Sequence, residues 1–182
     1  MLYRRLIREE MNELKKLQSI VYFMKYDENE EQSSTRTDEL RWEFARGAFT
    51  EDGKLAAVME IIPFKAYLDG KTVGSSGIAG VATLLEHRRG GAVKTLLKNA
   101  YNEMYEKGDV MSYLYPFSHE YYRKYGYEQG SFSNLVKVDI KQLKESKTPG
   151  YTRQYFPGEC LDDIKSVYAD FAQNFNCCIA RE

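Results

Sequence analysis

Residues 86–97 read EHRRGGAVKTLL and join two arginines and two glycines to the start of an amphipathic pattern. Apolar residues then recur at positions 93, 96, 97, 100, 101 and 104, which predicts a helix with one buried face. Gly108 is suited to end this helix in the left-handed conformation. We therefore expect a strand, a glycine-containing turn and a helix in succession around this stretch.

The turn Arg88–Gly91 has the chemistry of an anion site. Free N–H groups and the dipole at a helix start attract negative charge, and glycines let an anion reach the main chain. Arg88 and Arg89 add guanidinium groups that can hold phosphate oxygens in pairs. The turn lacks the ending of a P-loop and the GxGxxG spacing of a dinucleotide-binding turn. It predicts a diphosphate that is held but not transferred, although the turn alone also fits a surface loop with solvated arginines.

The composition indicates a globular chain without a strongly charged partner. Of the 182 residues, 43% are apolar, and the formal net charge is -1. This length fits one domain, or one domain and part of another. The mixed charge argues against nucleic acid as a partner. No apolar run approaches the roughly 20 residues of a membrane span, and the N-terminus has no apolar signal segment, so we expect no membrane partner.

The cysteines and histidines do not predict a metal site. Cys160, Cys177 and Cys178 have no CxxC spacing, and His87 and His119 are the only histidines. We therefore expect no metal and no disulfide framework. Reduced thiols are typical of a cytoplasmic protein, which is the location we expect.

Helical and strand patterns alternate along the rest of the chain. Apolar spacing predicts a first helix over residues 3–24, and an acidic, polar loop follows over residues 26–39. Further helices are predicted at about 92–107, 119–125 and 160–175, and strands at 42–49, 54–68, 72–85, 109–117 and 131–140. Asp-Gly pairs within residues 51–54 and 69–71 predict turns, and Gly77 and Gly80 allow a bulge or a close backbone approach. This order predicts a mixed α/β layer fold.

Two segments, GIAGVATLLEHRRGGAVKTLL at 77–97 and LYPFSHEYYRKYGYE at 114–128, resemble the GNAT acyltransferase superfamily. They are most similar to the branch named for enhanced intracellular survival (Eis-like), which also shares IIPFK at 61–65. The resemblance covers about residues 5–140. It implies the GNAT fold, a central mixed and mostly antiparallel sheet with a splayed strand pair, flanked by helices. Val93 stands where the superfamily prefers Gly or Ala, and this departure favours the Eis-like branch.

The resemblance also implies a division of the chain. Residues 1–144 would form a GNAT acetyltransferase domain, and Pro and Gly among charged residues mark a boundary just beyond it. Residues 145–182 resemble the opening of a second, GNAT-like domain. We therefore expect the chain to be the N-terminal part of a longer protein, which in this family also carries a sterol-carrier-like domain.

Acetyl-coenzyme A is the acetyl donor that the resemblance implies. Its pyrophosphate would lie on main-chain amides of the turn, with both arginine side chains assisting, at Arg88, Arg89, Gly90, Gly91, Ala92 and Val93. Its pantetheine arm would follow the splayed strand, at Val81, Ala82 and Thr83. A strand-like ligand suits backbone groups that have no neighbouring strand. Without the resemblance, the same residues also fit an ordinary core strand.

Tyr122 matches the general-acid tyrosine of the family, four residues before Gly126. A phenol, with a pKa of about 10, can donate a proton or a hydrogen bond to the departing thiolate. The alternative is one more half-buried aromatic ring among fifteen tyrosines.

The base and the acceptor site are less sharply predicted. Glu60 is a candidate base, but it also fits a substrate-facing or solvated carboxylate, and in the family the C-terminal carboxylate of the full chain is thought to assist. His119 is expected at the surface. The family accepts bulky amines, and four features could line such a pocket: Phe23, Tyr26, Trp42 and the acidic residues 27–31.

The predicted function is transfer of an acetyl group from acetyl-coenzyme A to a primary amine, such as an aminoglycoside, a polyamine or a lysine-like acceptor. A small-molecule amine would thus be the partner, and a homo-oligomer is compatible with the sequence. Two alternatives stay open, a non-catalytic acyl-CoA-binding or regulatory module and a plain interaction domain.

Overall fold

A computed structural model describes residues 1–26, 41–132, 134–143, 150–151, 153–156 and 158–181. The helices are α1 (Met11–Tyr22), α2 (Arg41–Phe44), α3 (Ala92–Lys107), α4 (His119–Arg123) and α5 (Leu161–Ala172). The strands are β1 (Leu2–Arg5), β2 (Ala45–Phe49), β3 (Leu55–Leu68), β4 (Lys71–Thr83), β5 (Met111–Leu114) and β6 (Ile179–Ala180). Short 3₁₀ turns cover Arg8–Glu10, Leu85–His87 and Ile140–Gln142.

The two longest strands, β3 and β4, form a hairpin at the centre of the sheet. Their turn consists of Asp69 and Gly70, which have φ angles of +49° and +73° and so match the tight hairpin turn predicted for an Asp-Gly pair. The strands follow the order β1-β2-β3-β4-β5, and β6 pairs with β3. The β4–β5 pair is parallel and the other pairs are antiparallel. The fold is therefore the predicted mixed, mostly antiparallel GNAT sheet between helices.

A helix packs on each face of this sheet. On one face, α3 buries Leu96, Leu97 and Ala100 completely against β2, β3 and β4. On the other face, α1 buries Leu14 and Leu17. Helix α3 begins at Ala92 and ends at Gly108 with φ +83°, as the apolar spacing predicts. Both helices leave the far ends of β4 and β5 accessible.

The N-terminal residues depart from the predicted helix over 3–24. Residues Leu2–Arg5 form β1, which pairs with β2, and α1 begins only at Met11. Leu6 is buried, but Ile7 is 53% exposed, so the apparent helical stripe mixes a buried strand end with a surface residue. The edge of β2 gains a hydrogen-bonded partner in this way, which outweighs the local helical pattern.

Two strands that the sequence predicts also differ from the structure. The predicted strand over 42–49 begins as the short helix α2 and becomes β2 only at Ala45. The segment 134–139 is not a strand, and residues Ile140–Gln142 form a 3₁₀ turn. In the described part of the chain β5 has β4 as its strand partner. A β-like pattern forms a strand only where a partner satisfies its backbone groups.

The end of the chain returns to the sheet. Ile179 and Ala180 pair with β3, and Tyr67 N donates to the carbonyl of Cys178 at 2.8 Å. The Asn176 side chain accepts from Asp69 N at 2.7 Å. Helix α5, which matches the predicted helix near the C-terminus, buries only Ala172. Among the helices that the structure describes, none has the length and apolar character to cross a membrane.

Candidate active site

A bulge interrupts β4 where the strand leaves its neighbours. The register between β3 and β4 shifts by one residue there, which leaves Gly80 and Val81 opposite Met59. Gly80 has φ +57°, in the left-handed region that favours glycine. The sequence allows a bulge or a close backbone approach at Gly77 and Gly80, and the bulge lies at Gly80.

The bulge determines which backbone groups of β4 turn away from β3. Beyond it, Leu84 N donates to the carbonyl of Ala56 at 3.0 Å, across the β3–β4 ladder. Backbone groups alternate between the two sides of a strand, so Ala82 directs its own N–H and C=O groups to β3. The carbonyl of Val81 and the N–H and C=O of Thr83 therefore turn to the opposite edge.

No described strand pairs with that edge of β4. The β4–β5 ladder ends at Ile78 and Leu114, while β4 continues to Thr83. This divergence is the splayed strand pair that the GNAT resemblance implies. We call this edge, along the outward-turned groups of Val81 and Thr83, the β4 groove. An extended ligand with amide groups can pair there as an added strand.

Helix α1 reaches the bulge with two polar side chains one turn apart. Gln18, only 2% exposed, donates through Nε2 to the Gly80 carbonyl and to Oε1 of Glu60, both at 3.0 Å. Tyr22 donates its hydroxyl to the Val81 carbonyl at 2.9 Å. A Cβ atom at Gly80 would lie 2.3 Å from the Gln18 nitrogen and 2.8 Å from the Glu60 oxygen. The close approach of α1 thus requires glycine at this position.

Sequence reasoning missed both Gln18 and Tyr22. A signal exists for Gln18, because it follows Leu14 and Leu17 on the apolar side of α1, where a polar residue must find a buried partner. Its partners, Glu60 and Gly80, lie 42 and 62 residues away along the chain, so the sequence pattern does not identify them.

The turn that precedes α3 is open to solvent and carries uncapped main-chain donors. Arg88, Arg89, Gly90 and Gly91 are exposed. No side chain in the described chain caps the start of α3, and the first N–H groups of a helix have no partner within it. A Cβ atom at Gly91 would meet nothing within 4 Å, so space is free beside the main chain. Such a turn fits a diphosphate.

The predicted turn residues differ in their surroundings. Arg88 N already donates to the carbonyl of Leu85 at 3.2 Å, inside the 3₁₀ turn. Arg89 has φ +63°, which bends the chain back before the helix. Ala92 is buried, and Val93 packs against the core beneath α3. The two apolar residues therefore anchor the helix start and offer main-chain groups alone.

Tyr122 lies in α4 with 5% of its surface exposed. Its ring packs edge-on against Phe117, Tyr121 and Tyr127. Burial, together with the nearby phenols of Tyr22 and Tyr127, raises the pKa of Tyr122 to about 12. Tyr122 thus remains protonated at neutral pH.

Of the other predicted site residues, some are buried and some are exposed. Glu60 is buried beneath α1, with 5% of its surface exposed, so the solvated alternative is wrong. Burial of the Tyr22 phenol raises the pKa of Tyr22, and the nearby carboxylate of Glu60 raises it further. Phe23 is 96% exposed, and Trp42 packs against the α1 core. His119 is exposed at the start of α4, and the acidic residues 27–31 lie outside the described residues.

The cysteines stand apart from the β4 groove. Cys160 precedes α5, and Cys177 and Cys178 precede β6. All three are free thiols. In the described ranges, no group of three or more His, Cys, Asp or Glu residues is placed to hold a metal ion.

Comparison with known proteins identifies the domain family. The family described as acetyltransferase (GNAT) domain matches residues 2–130. An uncharacterized N-acetyltransferase of Streptomyces avermitilis is 26% identical over 104 residues, which cover 55% of this chain and 25% of that protein. A second one, of Streptomyces coelicolor, is 24% identical with the same coverage. The matched segment thus spans about a quarter of the length of these relatives.

Solved structures share the fold. A GCN5-related N-acetyltransferase from Anabaena variabilis superposes with a TM-score of 0.76 at 23% identity, over 100% of this chain and 45% of that one. A probable N-acyltransferase from Enterococcus faecalis has a TM-score of 0.59 at 26% identity, over 70% of this chain and 32% of that one. The family match covers well over half of the sequence. The chain belongs to the acetyltransferase (GNAT) domain family.

Proposed function

We propose that this protein transfers an acetyl group from acetyl-coenzyme A to a primary amine. The observation that carries the proposal is the edge of β4 at Val81 and Thr83, beyond the end of the β4–β5 ladder. The protonated phenol of Tyr122 and the uncapped start of α3 would supply the acid and the diphosphate site. The pantetheine arm would pair with Val81 and Thr83. The diphosphate would lie on the turn at Arg88–Val93, where main-chain N–H groups and two guanidinium groups meet.

The chemistry needs two proton movements. Acetyl-coenzyme A supplies an activated thioester; the amine nitrogen forms a bond to the acetyl carbon as the C–S bond breaks. The amine must lose a proton, and an alkylammonium with pKa about 10.4 costs about 4–5 kcal/mol to deprotonate at pH 7. The sulfur must gain a proton or a hydrogen bond. Tyr122 donates to that sulfur, and its high pKa favours a hydrogen bond over complete proton transfer to the thiolate.

Glu60 is the carboxylate that we propose to meet the acceptor amine. It lies on β3 beside the bulge, within hydrogen-bond reach of Gln18. A carboxylate there attracts an ammonium group and can take its proton directly or through water. Phe23, Tyr26 and Trp42, at or near the ends of α1 and α2, would line the acceptor pocket.

Within the GNAT family we assign this protein to the Eis-like branch, with a bulky amine such as an aminoglycoside or a polyamine as acceptor. The turn at Arg88–Val93 and the segment around Tyr122 support it. We also propose a GNAT domain over 1–144 and the start of a second domain over 145–182. The small burial of α5 supports this boundary, whereas β6 ties the end of the chain to the first sheet.

Binding of coenzyme A tests the first half of the proposal. Thermal unfolding should shift upward with coenzyme A, by the equivalent of about 2.7 kcal/mol at 100 times the dissociation constant. The double variant Arg88→Ala/Arg89→Ala should weaken binding about tenfold or more, while Arg123→Ala, an exposed arginine outside the turn, serves as the control. Unchanged affinity in the double variant would refute the diphosphate site.

Turnover tests the second half. The full-length protein is assayed for thiol release with a panel of amines, and Tyr122→Phe should lower kcat about 100-fold. Wild-type turnover by Tyr122→Phe at saturating substrate would remove Tyr122 from the reaction. Coenzyme A binding without thiol release for any amine would favour a regulatory acyl-CoA-binding module. No coenzyme A binding at all would favour an interaction domain.

A further inference from the structure

We propose that the Tyr22 hydroxyl occupies the place of a ligand amide in the β4 groove and must leave when the pantetheine arm binds. This inference rests on the proposed function and concerns the same groove. The carbonyl of Val81 turns away from β3, toward the edge where no described strand pairs with β4. Tyr22 reaches this carbonyl from the end of α1.

The distance identifies what the hydroxyl replaces. Tyr22 Oη lies 2.9 Å from the Val81 oxygen. A strand or strand-like ligand beside β4 would place its amide nitrogen at about 2.9 Å from the same oxygen. The Tyr22 hydroxyl and an extended pantetheine arm therefore compete for the Val81 oxygen.

Tyr22 is weakly held compared with Gln18, its neighbour one turn earlier. Gln18 is 2% exposed and makes two hydrogen bonds, whereas Tyr22 is 47% exposed and makes the one hydrogen bond described above. Tyr22 is the last residue of α1, and Phe23 follows in the left-handed conformation with 96% of its surface exposed. The end of α1 can thus move while Gln18 keeps the bulge in place.

Displacement couples the two substrates of the proposed reaction. When Tyr22 leaves Val81, it moves with the helix end that carries Phe23 and leads to Tyr26, the residues proposed to line the acceptor pocket. The donor would therefore bind first and shape the acceptor pocket. The ligand class that this device recognises is an extended chain with secondary amides.

The test is the variant Tyr22→Phe, which keeps the ring but removes the competing hydrogen bond. Its affinity for coenzyme A should rise about two- to tenfold, since a single hydrogen bond is removed from the free protein alone. The affinity for pantetheine should rise similarly, and the affinity for adenosine 3′,5′-bisphosphate, which lacks the pantetheine arm, should not change. Tyr105→Phe, at an exposed tyrosine on α3, is the matched control and should bind all three like wild type.

A gain in affinity separates this role from a structural one, because a merely structural contact would weaken binding when lost. Unchanged or weaker coenzyme A binding by Tyr22→Phe would overturn the inference while leaving the proposed function intact. Equal changes for coenzyme A and the bisphosphate would also overturn it. Failure of wild type to bind coenzyme A would instead refute the proposed function, and the inference with it.

A second measurement follows Tyr22 in the wild-type protein itself. In wild-type protein labelled with 3-fluorotyrosine, the ¹⁹F resonance of Tyr22 should move on addition of coenzyme A and stay in place on addition of the bisphosphate. The resonance is assigned by its loss in Tyr22→Phe. If the resonance does not shift at saturating coenzyme A, Tyr22 is not displaced from Val81.

Discussion

Two polar clusters flank the central sheet, one on each face, and they differ in what they hold. The bulge cluster, Gln18, Tyr22 and Glu60, lies under α1 and grips backbone carbonyls of β4. The charge cluster, Tyr3, Arg46 and Glu103, lies under α3 and joins side chains of β1, β2 and α3.

In the charge cluster a guanidinium group and a carboxylate pair with each other. Arg46, 4% exposed, donates to both oxygens of Glu103 at 2.7 to 3.0 Å, and Tyr3 donates to the same carboxylate. Burial opposes ionisation, but the hydrogen bonds from Arg46 and Tyr3 hold the pKa of Glu103 below its ordinary value. This cluster fastens two strands to a helix, whereas the bulge cluster holds backbone groups beside a groove that can receive a ligand.

The largest expected effect is at the bulge. Gly80→Ala places a methyl group within 3 Å of Gln18 and Glu60 at φ +57°. The left-handed conformation costs an alanine about 1–2 kcal/mol, and the clash adds about 1–3 kcal/mol. We expect urea unfolding to report a loss of about 2–5 kcal/mol, with loss of coenzyme A binding.

Gly53→Ala is the matched control for that experiment. Gly53 has φ +82°, but a Cβ atom there would meet nothing within 4 Å. Only the conformational cost of about 1–2 kcal/mol should remain, with coenzyme A binding unchanged. Equal losses for the two variants would show that α1 does not press on the bulge.

The second prediction concerns the charge cluster. Arg46→Met removes the cation and leaves Glu103 and Tyr3 without it in a largely buried place, at a cost of about 3 kcal/mol in the free energy of unfolding. Arg123→Met breaks the bidentate pair between Arg123 and Glu128, whose side chains are both more than half exposed, and should leave the free energy of unfolding nearly unchanged. The catalytic constants of folded Arg46→Met should match wild type. A change in KM for acetyl-coenzyme A would contradict the separation of the two clusters.

These clusters also mark how far the sequence predicts the structure. The turns, α3, the glycine bulge and the GNAT sheet carry local signals, since turn residues and helical spacing act over a few positions. Strand β1 and the segment 134–139 were predicted wrongly, because a strand depends on a partner elsewhere in the chain. Arg46 and Glu103 meet across 57 residues, and Gln18 meets Gly80 across 62, so neither cluster has a local pattern.

The third prediction compares the two carboxylates directly. Glu103→Gln removes the charge opposite Arg46 and should cost about 1–3 kcal/mol in the free energy of unfolding. Glu60→Gln can still present a carbonyl oxygen to the Gln18 amide, so unfolding should change by less than about 1 kcal/mol. The turnover of Glu60→Gln should nevertheless fall about 100-fold if Glu60 meets the amine. The reverse order, with Glu60→Gln unstable and fully active, would make Glu60 a structural residue.

The smallest predicted effect is alkaline destabilisation. Tyr122 has a pKa of about 12 in the folded protein, against about 10 for an unfolded tyrosine, so between these values the unfolded state alone loses the proton. Stability is then complete below pH 10 and declines as pH rises toward 12, and Tyr122 contributes a loss of about 1 kcal/mol at pH 11. Urea unfolding at pH 8 and pH 11 should show a smaller decline in Tyr122→Phe than in wild type, and Tyr105→Phe should decline like wild type. Burial and Glu103 also raise the pKa of Tyr3, so Tyr3→Phe should show a reduced decline too, which would place alkaline sensitivity in the charge cluster as well as at Tyr122. If Tyr122→Phe declines as steeply as wild type, Tyr122 ionises as an ordinary phenol, and burial among the rings of α4 does not hold its proton.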